Sequence, residues 1–191
     1  MRKKSGEIRL CVYFINLNRA LEKDNYPVPS MEQVLQTMYG SEIFSLLDGF
    51  SGYNQVLVHP DDQEKTAFTT PWGTFMYVKM SFGLMNAGAT FQRAMDIAFI
   101  EETGKFIVVY LDDVTVFSQS DDEHLRHLRR VFEKCRRFGI SLNPKKCLFG
   151  LEEGKLLGHI ISKEGIRIDP SRIEAILKIE HPRNLKNFSH L

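Results

Sequence analysis

The sequence is short of cysteine, of net charge and of long apolar runs, and each shortage excludes something. Only three of its 191 residues are cysteines: Cys11, Cys135 and Cys147. The number is odd and no two form a CxxC, so free thiols in a reducing compartment are expected rather than a disulfide framework or a zinc site. No apolar run approaches the roughly 20 residues of a membrane span, and no membrane partner is expected. The opening stretch MRKKSGEIRL is basic but has no apolar core of a secretory signal. Net charge is only +1, which gives no global pull toward nucleic acid. The charge is unevenly placed, however. Arg126, Arg129, Arg130, Lys134, Arg136, Arg137, Lys145 and Lys146 stand against one acid, Glu133. That stretch reads as a local basic surface or as the solvated face of a helix.

What is present supports a packed core. Hydrophobic residues make up 43% of the chain and aromatic residues 11%. Residues 7–14, EIRLCVYF, read as a strand. A domain rarely opens on a core strand, so a preceding segment is expected. An extended connector, 18–29, ends in YPVP. Ser30 with Gln33 makes a capping box for a helix that Gly40 ends. Ile43 to Leu47 is a strand running into Asp48. Residues 53–59, 66–70 and 74–80 alternate as strands do, with a hairpin turn at Pro71-Trp72-Gly73. A helix begins near Asn86. Ser120 with Glu123 predicts a second capping box, and Leu125, Leu128, Phe132, Cys135 and Phe138 predict one apolar helix face ending at Gly139. Residues 156–162 and 166–168 read as a hairpin around Gly165. Asp169 caps a last helix with Pro170 at its first position and Ile173, Ile176 and Leu177 on its apolar face. Hairpins outnumber βαβ units, which predicts an α+β fold, an antiparallel sheet with helices packed on one face.

The densest chemistry lies in residues 106–118, FIVVYLDDVTVFS. Two β-rich apolar runs flank Asp112 and Asp113 across a tight turn. Adjacent carboxylates between apolar walls repel each other, and burial raises their pKa values further. A hard divalent cation such as Mg²⁺ relieves that repulsion through oxygen ligands. The alternative is an ordinary solvated Asp-Asp turn. A third acid, Asp48, also ends a predicted strand and is followed by Gly49-Phe50-Ser51-Gly52-Tyr53. Two glycines let the backbone approach a ligand, with N–H groups available to phosphate oxygens. If the strands ending at Asp48 and Asp112 are neighbours, their carboxylates share a sheet edge. Two cations roughly 3.5–4 Å apart held there would serve phosphoryl transfer.

The YLDD box resembles the YxDD box of reverse transcriptases. Six further blocks follow in that family's order: LCV…LN…YPVP (11–29), IFSLLDGFSGYNQV (43–56), KTAFTTPWGTFMYVKMSFGLMNAGATFQ (65–92), EHLRHLRRVF (123–132), LGHIISKEGI (157–166) and the closing HPRNLKNFSHL. Together they resemble the polymerase of gypsy-class LTR retrotransposons over nearly the whole chain. The resemblance implies a right-hand polymerase. Residues 1–47 would be partial fingers with the palm entry, 48–168 the palm with 65–92 returning into the fingers, and 169–191 the start of thumb or connection. It implies that Asp48, Asp112 and Asp113 are catalytic and hold two Mg²⁺ ions, with Mn²⁺ as the alternative metal. Gly49, Phe50, Ser51 and Gly52 would meet the triphosphate. Tyr53 would be the steric gate against a 2′-hydroxyl. Arg9 would bind triphosphate from the fingers, Phe82 and Gly83 would line the nucleotide pocket, and Leu157-Gly158-His159 would be the primer grip. The implied partners are an RNA/DNA template-primer, dNTPs, and the RNase H and integrase of a Pol polyprotein. The implied location is a cytoplasmic virus-like particle, or the nucleus.

Several residues depart from the pattern. Tyr13 and Ile15 stand where the family carries Asp and Arg, two positions apart on a presumed strand face. Ser81 and Gly88 each replace a usual proline. The preceding fingers segment and most of the thumb do not appear. A second reading is therefore an inactive, truncated remnant that still binds nucleic acid through residues 126–146. Another class of phosphotransferase has no support, because the chain has neither GxxxxGK[ST] nor HRD.

Overall fold

A computed structural model describes residues 12–178. The first described helix is α1 (Ile15–Ala20), followed by α2 (Met31–Met38) and strand β1 (Ile43–Asp48). One helical turn, α3 (Pro60–Gln63), precedes the short hairpin β2 (Phe68–Thr70) and β3 (Gly73–Phe75). Then come α4 (Ala87–Ala98), β4 (Ile107–Tyr110), β5 (Asp113–Ser118) and the long α5 (Asp121–Phe138). The chain continues through β6 (Leu148–Leu151), β7 (Glu153–Leu156), β8 (His159–Ser162), β9 (Gly165–Ile168) and α6 (Pro170–Leu177).

The central sheet has the order β4-β5-β1-β6 with antiparallel pairing throughout. Its short strands are apolar on both faces because both faces are covered. Leu47, Ile107, Val109, Val114 and Val116 meet Phe91, Met95 and Ala98 of α4 and Leu128, Val131 and Cys135 of α5. On the opposite face Phe44, Val108 and Phe117 meet Val34, Leu35 and Met38 of α2, with Leu156 and Ile161 of the β7-β8-β9 meander. Burying one such Phe, Leu or Met contributes about 1.5–3 kcal/mol. The architecture is α+β, with the two long helices on one face as expected. The expectation of helices on one face alone is corrected, because α2 and the meander cover the other face.

Some local expectations hold. Ser30 and Gln33 form the capping box, Gly139 closes α5 in the left-handed region, and Asp169 caps α6 ahead of Pro170. Others are corrected. Residues 12–14, the described part of the expected 7–14 strand, are not extended in a sheet. Phe14 is buried and precedes α1, whose Asn18 side chain donates to Gly83 O at 2.8 Å. Tyr13 and Ile15 are exposed and share no strand face, so an ion pair at those two positions has no strand to stand on here. Residues 53–59 do not form a strand either. Ser51 turns left-handed (φ 52°), the chain winds into a short 3₁₀ turn over Gly52–Gln55, and one bridge, Leu57 to Lys79, is the remaining pairing there. The expected 156–168 hairpin is the three-stranded meander.

The second capping box does not form. Ser120 makes no capping hydrogen bond, and the Glu123 carboxylate accepts instead from the Gln119 N–H at 3.1 Å. The buried face of α5 is His124, Leu128, Val131 and Cys135, while Leu125 is 66% exposed. His124 is buried because strand hydroxyls satisfy both ring nitrogens. Gly150 N–H donates to Ser45 Oγ at 3.2 Å, and Ser45 Oγ lies 2.7 Å from His124 Nε2. Ser118 Oγ then lies 2.9 Å from His124 Nδ1 and 2.8 Å from His127 Nδ1. The basic surface is also smaller than its sequence count. Arg130 and Lys134 are paired to Glu101 and Glu102, and Lys146 to Asp48.

Candidate active site

Strand register brings the acids together, but not through the expected pair: β1, which ends at Asp48, neighbours β5, which begins at Asp113, and β5 separates β1 from β4. In the β1–β5 pairing Asp48 stands directly opposite Asp113, and in the β4–β5 pairing Tyr110 stands opposite Asp113. Leu111 and Asp112 form the two-residue turn between β4 and β5. Leu111 has a φ of 54°, a left-handed conformation that costs a non-glycine residue about 1 kcal/mol. The turn is held from inside. Gln92 of α4 is fully buried, its Oε1 accepts the Leu111 N–H at 2.8 Å, and its Nε2 donates to Val109 O at 3.2 Å.

The Gly49–Tyr53 loop packs directly against this turn. A Cβ on Gly52 would lie 2.5 Å from Asp112 Oδ1 and 3.2 Å from its Cγ, so only glycine leaves the carboxylate where it is. The expectation of a free amide cradle is reduced. The N–H groups of Gly49, Phe50 and Gly52 already donate to Asp112 O, Ser141 O and Gly49 O. Tyr53 is half-buried between Phe82 and Phe91, with ring centroids at 5.1 and 5.7 Å. Burial, then the nearby Asp112 carboxylate, raises its phenol pKa.

Lys146 Nζ donates to both Asp48 oxygens, at 2.9 and 3.1 Å. Among the described residues Asp113 forms no such ion pair. Its carboxyl is held above the usual range by partial burial and then by Asp48, with Lys146 offsetting only in part. Clustered hard carboxylate oxygens suit a hard divalent cation. Among the described residues no group of three or more His, Cys, Asp or Glu side chains is gathered into a ready-made metal site. The donor chemistry fits a cation, and Asp48, Asp112 and Asp113 are the residues that would hold one.

A cleft of about 220 Å³ runs from this edge to the meander, lined by Asp48, Asp113, Lys146, Lys155 and Leu157 among others. Leu157 therefore shares a cleft with two of the acids. Gly158 lies under Arg172, whose Nη1 donates to Leu157 O at 2.8 Å, and His159 Nδ1 lies 3.2 Å from the same carbonyl. Phe82 reaches the site through Tyr53. Gly83 faces elsewhere: its position abuts Val12 O, and its carbonyl is taken by Asn18. Arg9 lies outside the described residues. Gln92, Lys146 and Lys155 were missed as site residues. Gln92 carried a signal, a polar residue on the apolar face of α4 between Phe91 and Met95. The partner of Lys146 lies 98 positions away, which no local pattern reveals.

Comparison with known proteins gives consistent results. The family profile described as "Reverse transcriptase (RNA-dependent DNA polymerase)" matches residues 1–161. The retrovirus-related Pol polyprotein from transposon gypsy of Drosophila melanogaster is 36% identical over 174 residues, covering 91% of this chain and 17% of the relative. The transposon Tf2-3 polyprotein of Schizosaccharomyces pombe is 34% identical over 184 residues, covering 96% of this chain and 14% of the relative. The chain thus spans about a sixth or less of these relatives. Among solved structures, a foamy viral protease-reverse transcriptase in complex with double-stranded DNA superposes with a TM-score of 0.89 at 23% identity. That alignment covers 100% of this chain and 33% of the other, and at this identity it speaks for the fold.

Proposed function

The chain belongs to the reverse transcriptase (RNA-dependent DNA polymerase) family, and from that premise we propose that it is the polymerase part of a retrotransposon Pol polyprotein. In this reading it extends a primer 3′-hydroxyl with deoxynucleotides on an RNA or DNA template. The observation that carries the reading is the acid edge. Asp48 and Asp113 face each other across two strands, and Asp112 sits in the adjoining turn.

Asp48, Asp112 and Asp113 would hold two Mg²⁺ ions, or Mn²⁺. Bound there, the ions would supply activation of the primer hydroxyl and neutralisation of charge on the triphosphate. The protein's own contribution is placement. β1 and β5 fix two carboxylates by register, and Gln92 fixes the turn that carries the third. Tyr53, wedged between Phe82 and Phe91, is the proposed gate against a 2′-hydroxyl, since its ring has little room to yield. The Gly49-Phe50-Ser51-Gly52 loop is assigned to the triphosphate by resemblance, with the Gly49, Phe50 and Gly52 amides engaged within the fold. Arg9 is assigned there on resemblance alone.

A template-primer duplex is the proposed partner, by likeness to foamy viral relatives solved with double-stranded DNA and with an RNA/DNA hybrid. It would follow the cleft toward Leu157-Gly158-His159, the proposed primer grip. The remaining proposals rest on the sequence resemblance. They are a fingers–palm division at residue 48, onward connection to RNase H and integrase, and residence in a cytoplasmic virus-like particle or the nucleus.

The test is extension of oligo(dT) on poly(rA) with Mg²⁺, using this chain beside Asp112→Asn. Extension by the parent chain that the variant loses is the expected result. No extension from a parent chain that circular dichroism shows to be folded would overturn the reading of this chain as a polymerase. The surviving reading would be an RNA-binding remnant, which the exposed Arg126, Arg129, Arg136 and Arg137 of α5 favour.

A further inference from the structure

Gln92 is not the end of the hydrogen-bond chain behind the acid-bearing turn. Its Nε2 also donates to Asp96 Oδ1 at 3.0 Å, one helical turn along α4. The other Asp96 oxygen accepts from the Tyr26 hydroxyl at 2.8 Å. Tyr26 belongs to the extended connector before α2, 70 positions from Asp96 in sequence. The connector is itself latched to α4. Asp24 pairs with Arg93 at 2.8 Å, the Arg93 guanidinium lies over the Tyr26 ring at 4.6 Å, and the Asp24 N–H donates to Asn86 Oδ1 at 3.0 Å.

The order of donors and acceptors makes this chain directional. A carboxamide can be turned either way round, and its neighbours decide which end points where. Leu111 offers an N–H, so it needs the Gln92 oxygen. Val109 offers a carbonyl, so it needs the Gln92 nitrogen. An ionised Asp96 is acceptor-only, and it holds the second Gln92 N–H on the side away from Leu111. The Tyr26 hydroxyl in turn fixes the carboxylate of Asp96. The strained left-handed Leu111 persists only because its surroundings over-determine it. Tyr26 and Asp96 are part of those surroundings, although neither touches the acid edge.

We propose that Tyr26 and Asp96 are remote positioning residues for the Leu111-Asp112 turn, acting through the buried amide of Gln92. The proposal rests on the polymerase reading for its catalytic meaning, but the coupling itself does not. Docking of the connector onto α4 thereby sets how firmly Asp112 is presented.

The test is amide hydrogen exchange of this chain by NMR, comparing Tyr26→Phe, Asp96→Ala and Asp96→Asn with the parent. Tyr26→Phe keeps the ring under Arg93 and removes only the hydroxyl. We expect exchange of the Leu111 amide to accelerate at least tenfold in Asp96→Ala and several-fold in Tyr26→Phe. Asp96→Asn, which keeps an acceptor oxygen for Gln92, should restore most of the protection. Amides of Val108 and Val116 in the sheet should keep their parental rates in all three. Unchanged Leu111 exchange in both Tyr26→Phe and Asp96→Ala would overturn the proposal. Equal acceleration at Leu111, Val108 and Val116 would also overturn it, as general loosening. Exchange needs no polymerisation, so failure of the polymerase reading and failure of this coupling are distinguishable.

Discussion

Two hairpin turns border the acid edge, and they are built alike but held differently. Each has two residues, and each opens on a leucine in the left-handed region, Leu111 at φ 54° and Leu157 at φ 53°. The first continues with Asp112 and is clamped from within by Gln92, which is fully buried. The second continues with Gly158 (φ 76°) and is covered by the Arg172 guanidinium, a contact made in an exposed setting. The difference matches the proposed tasks. A turn that presents a carboxylate for chemistry gains from rigid placement. A turn that guides a moving duplex needs only a surface contact that can yield.

Breaking the first turn should have the largest effect. Gly52→Ala would drive a methyl into the Asp112 carboxylate, which must then move by more than half an ångström to restore contact distance. Primer extension should fall on the order of 10²-fold, while circular dichroism stays near the parent. Extension at the parental rate would show that the Gly52–Asp112 contact does not set the geometry of the acids.

Next comes the contrast between the two clamps. Gln92→Ala leaves the Leu111 N–H and the Val109 carbonyl without their buried partner and should cost about 2–4 kcal/mol in denaturant unfolding. Arg172→Ala removes a solvent-accessible bond and should cost about 0.5–1 kcal/mol. Equal costs would erase the distinction between the turns.

Acid should loosen the first hairpin from its far end. His124 and His127 both have pKa values lowered, chiefly by burial, with Glu123 partly offsetting the shift at His127 and Asp121 at His124. Arg126 and Arg130 act in the same direction as burial on His127. The unfolded chain therefore takes protons more readily than the folded one. Stability should be full above the ordinary histidine value of about 6.5 and should fall as pH drops below it, by at most about 1.4 kcal/mol per pH unit for each ring. Asp113, whose carboxyl is raised, works in the opposite sense at lower pH. Replacing His124 with glutamine should flatten the decline measured between pH 7 and pH 5. An unchanged slope would remove the hydroxyl–imidazole chain as its source.

The smallest effects belong to the two positions where proline is usual. Ser81 is buried, and its hydroxyl makes no hydrogen bond among the described residues. Ser81→Pro should stabilise by about 1 kcal/mol, seen as a higher Tm. Gly88→Ala places a methyl 3.8 Å from both Leu111 Cδ2 and Tyr53 Oη, ordinary contact distances, and should add up to about 1 kcal/mol. A fall in Tm for either variant would contradict the geometry around these sites.

The acid edge could be read from sequence because its signals are local. Short β-rich runs end at Asp48 and flank Asp112-Asp113, but the strand order is not legible locally: β1 pairs with β5 and sets Asp48 opposite Asp113, rather than lying beside β4. The Ser30–Gln33 box was legible because its signal is local. The failures have several physical sources. Ser120 and Glu123 had the right spacing, but Glu123 found the Gln119 amide instead. His124 did not read as a buried residue, because the hydroxyls that admit it belong to Ser45 and Ser118 on two strands. Strand β6 was overlooked because Leu148-Phe149-Gly150-Leu151 is short, contains glycine and lies mostly exposed at the sheet edge. Three cations counted as free surface charge are committed to acids elsewhere in the fold.

In the proposed function Asp48, Asp112 and Asp113 act together on a divalent cation. Mn²⁺ binding followed by electron paramagnetic resonance in the presence of dTTP tests it without requiring polymerisation. The parent chain should bind Mn²⁺, and Asp48→Asn and Asp112→Asn should each weaken binding at least tenfold. Affinity unchanged in both variants would contradict the account, because the ion would then be held by dTTP or by some other part of the protein.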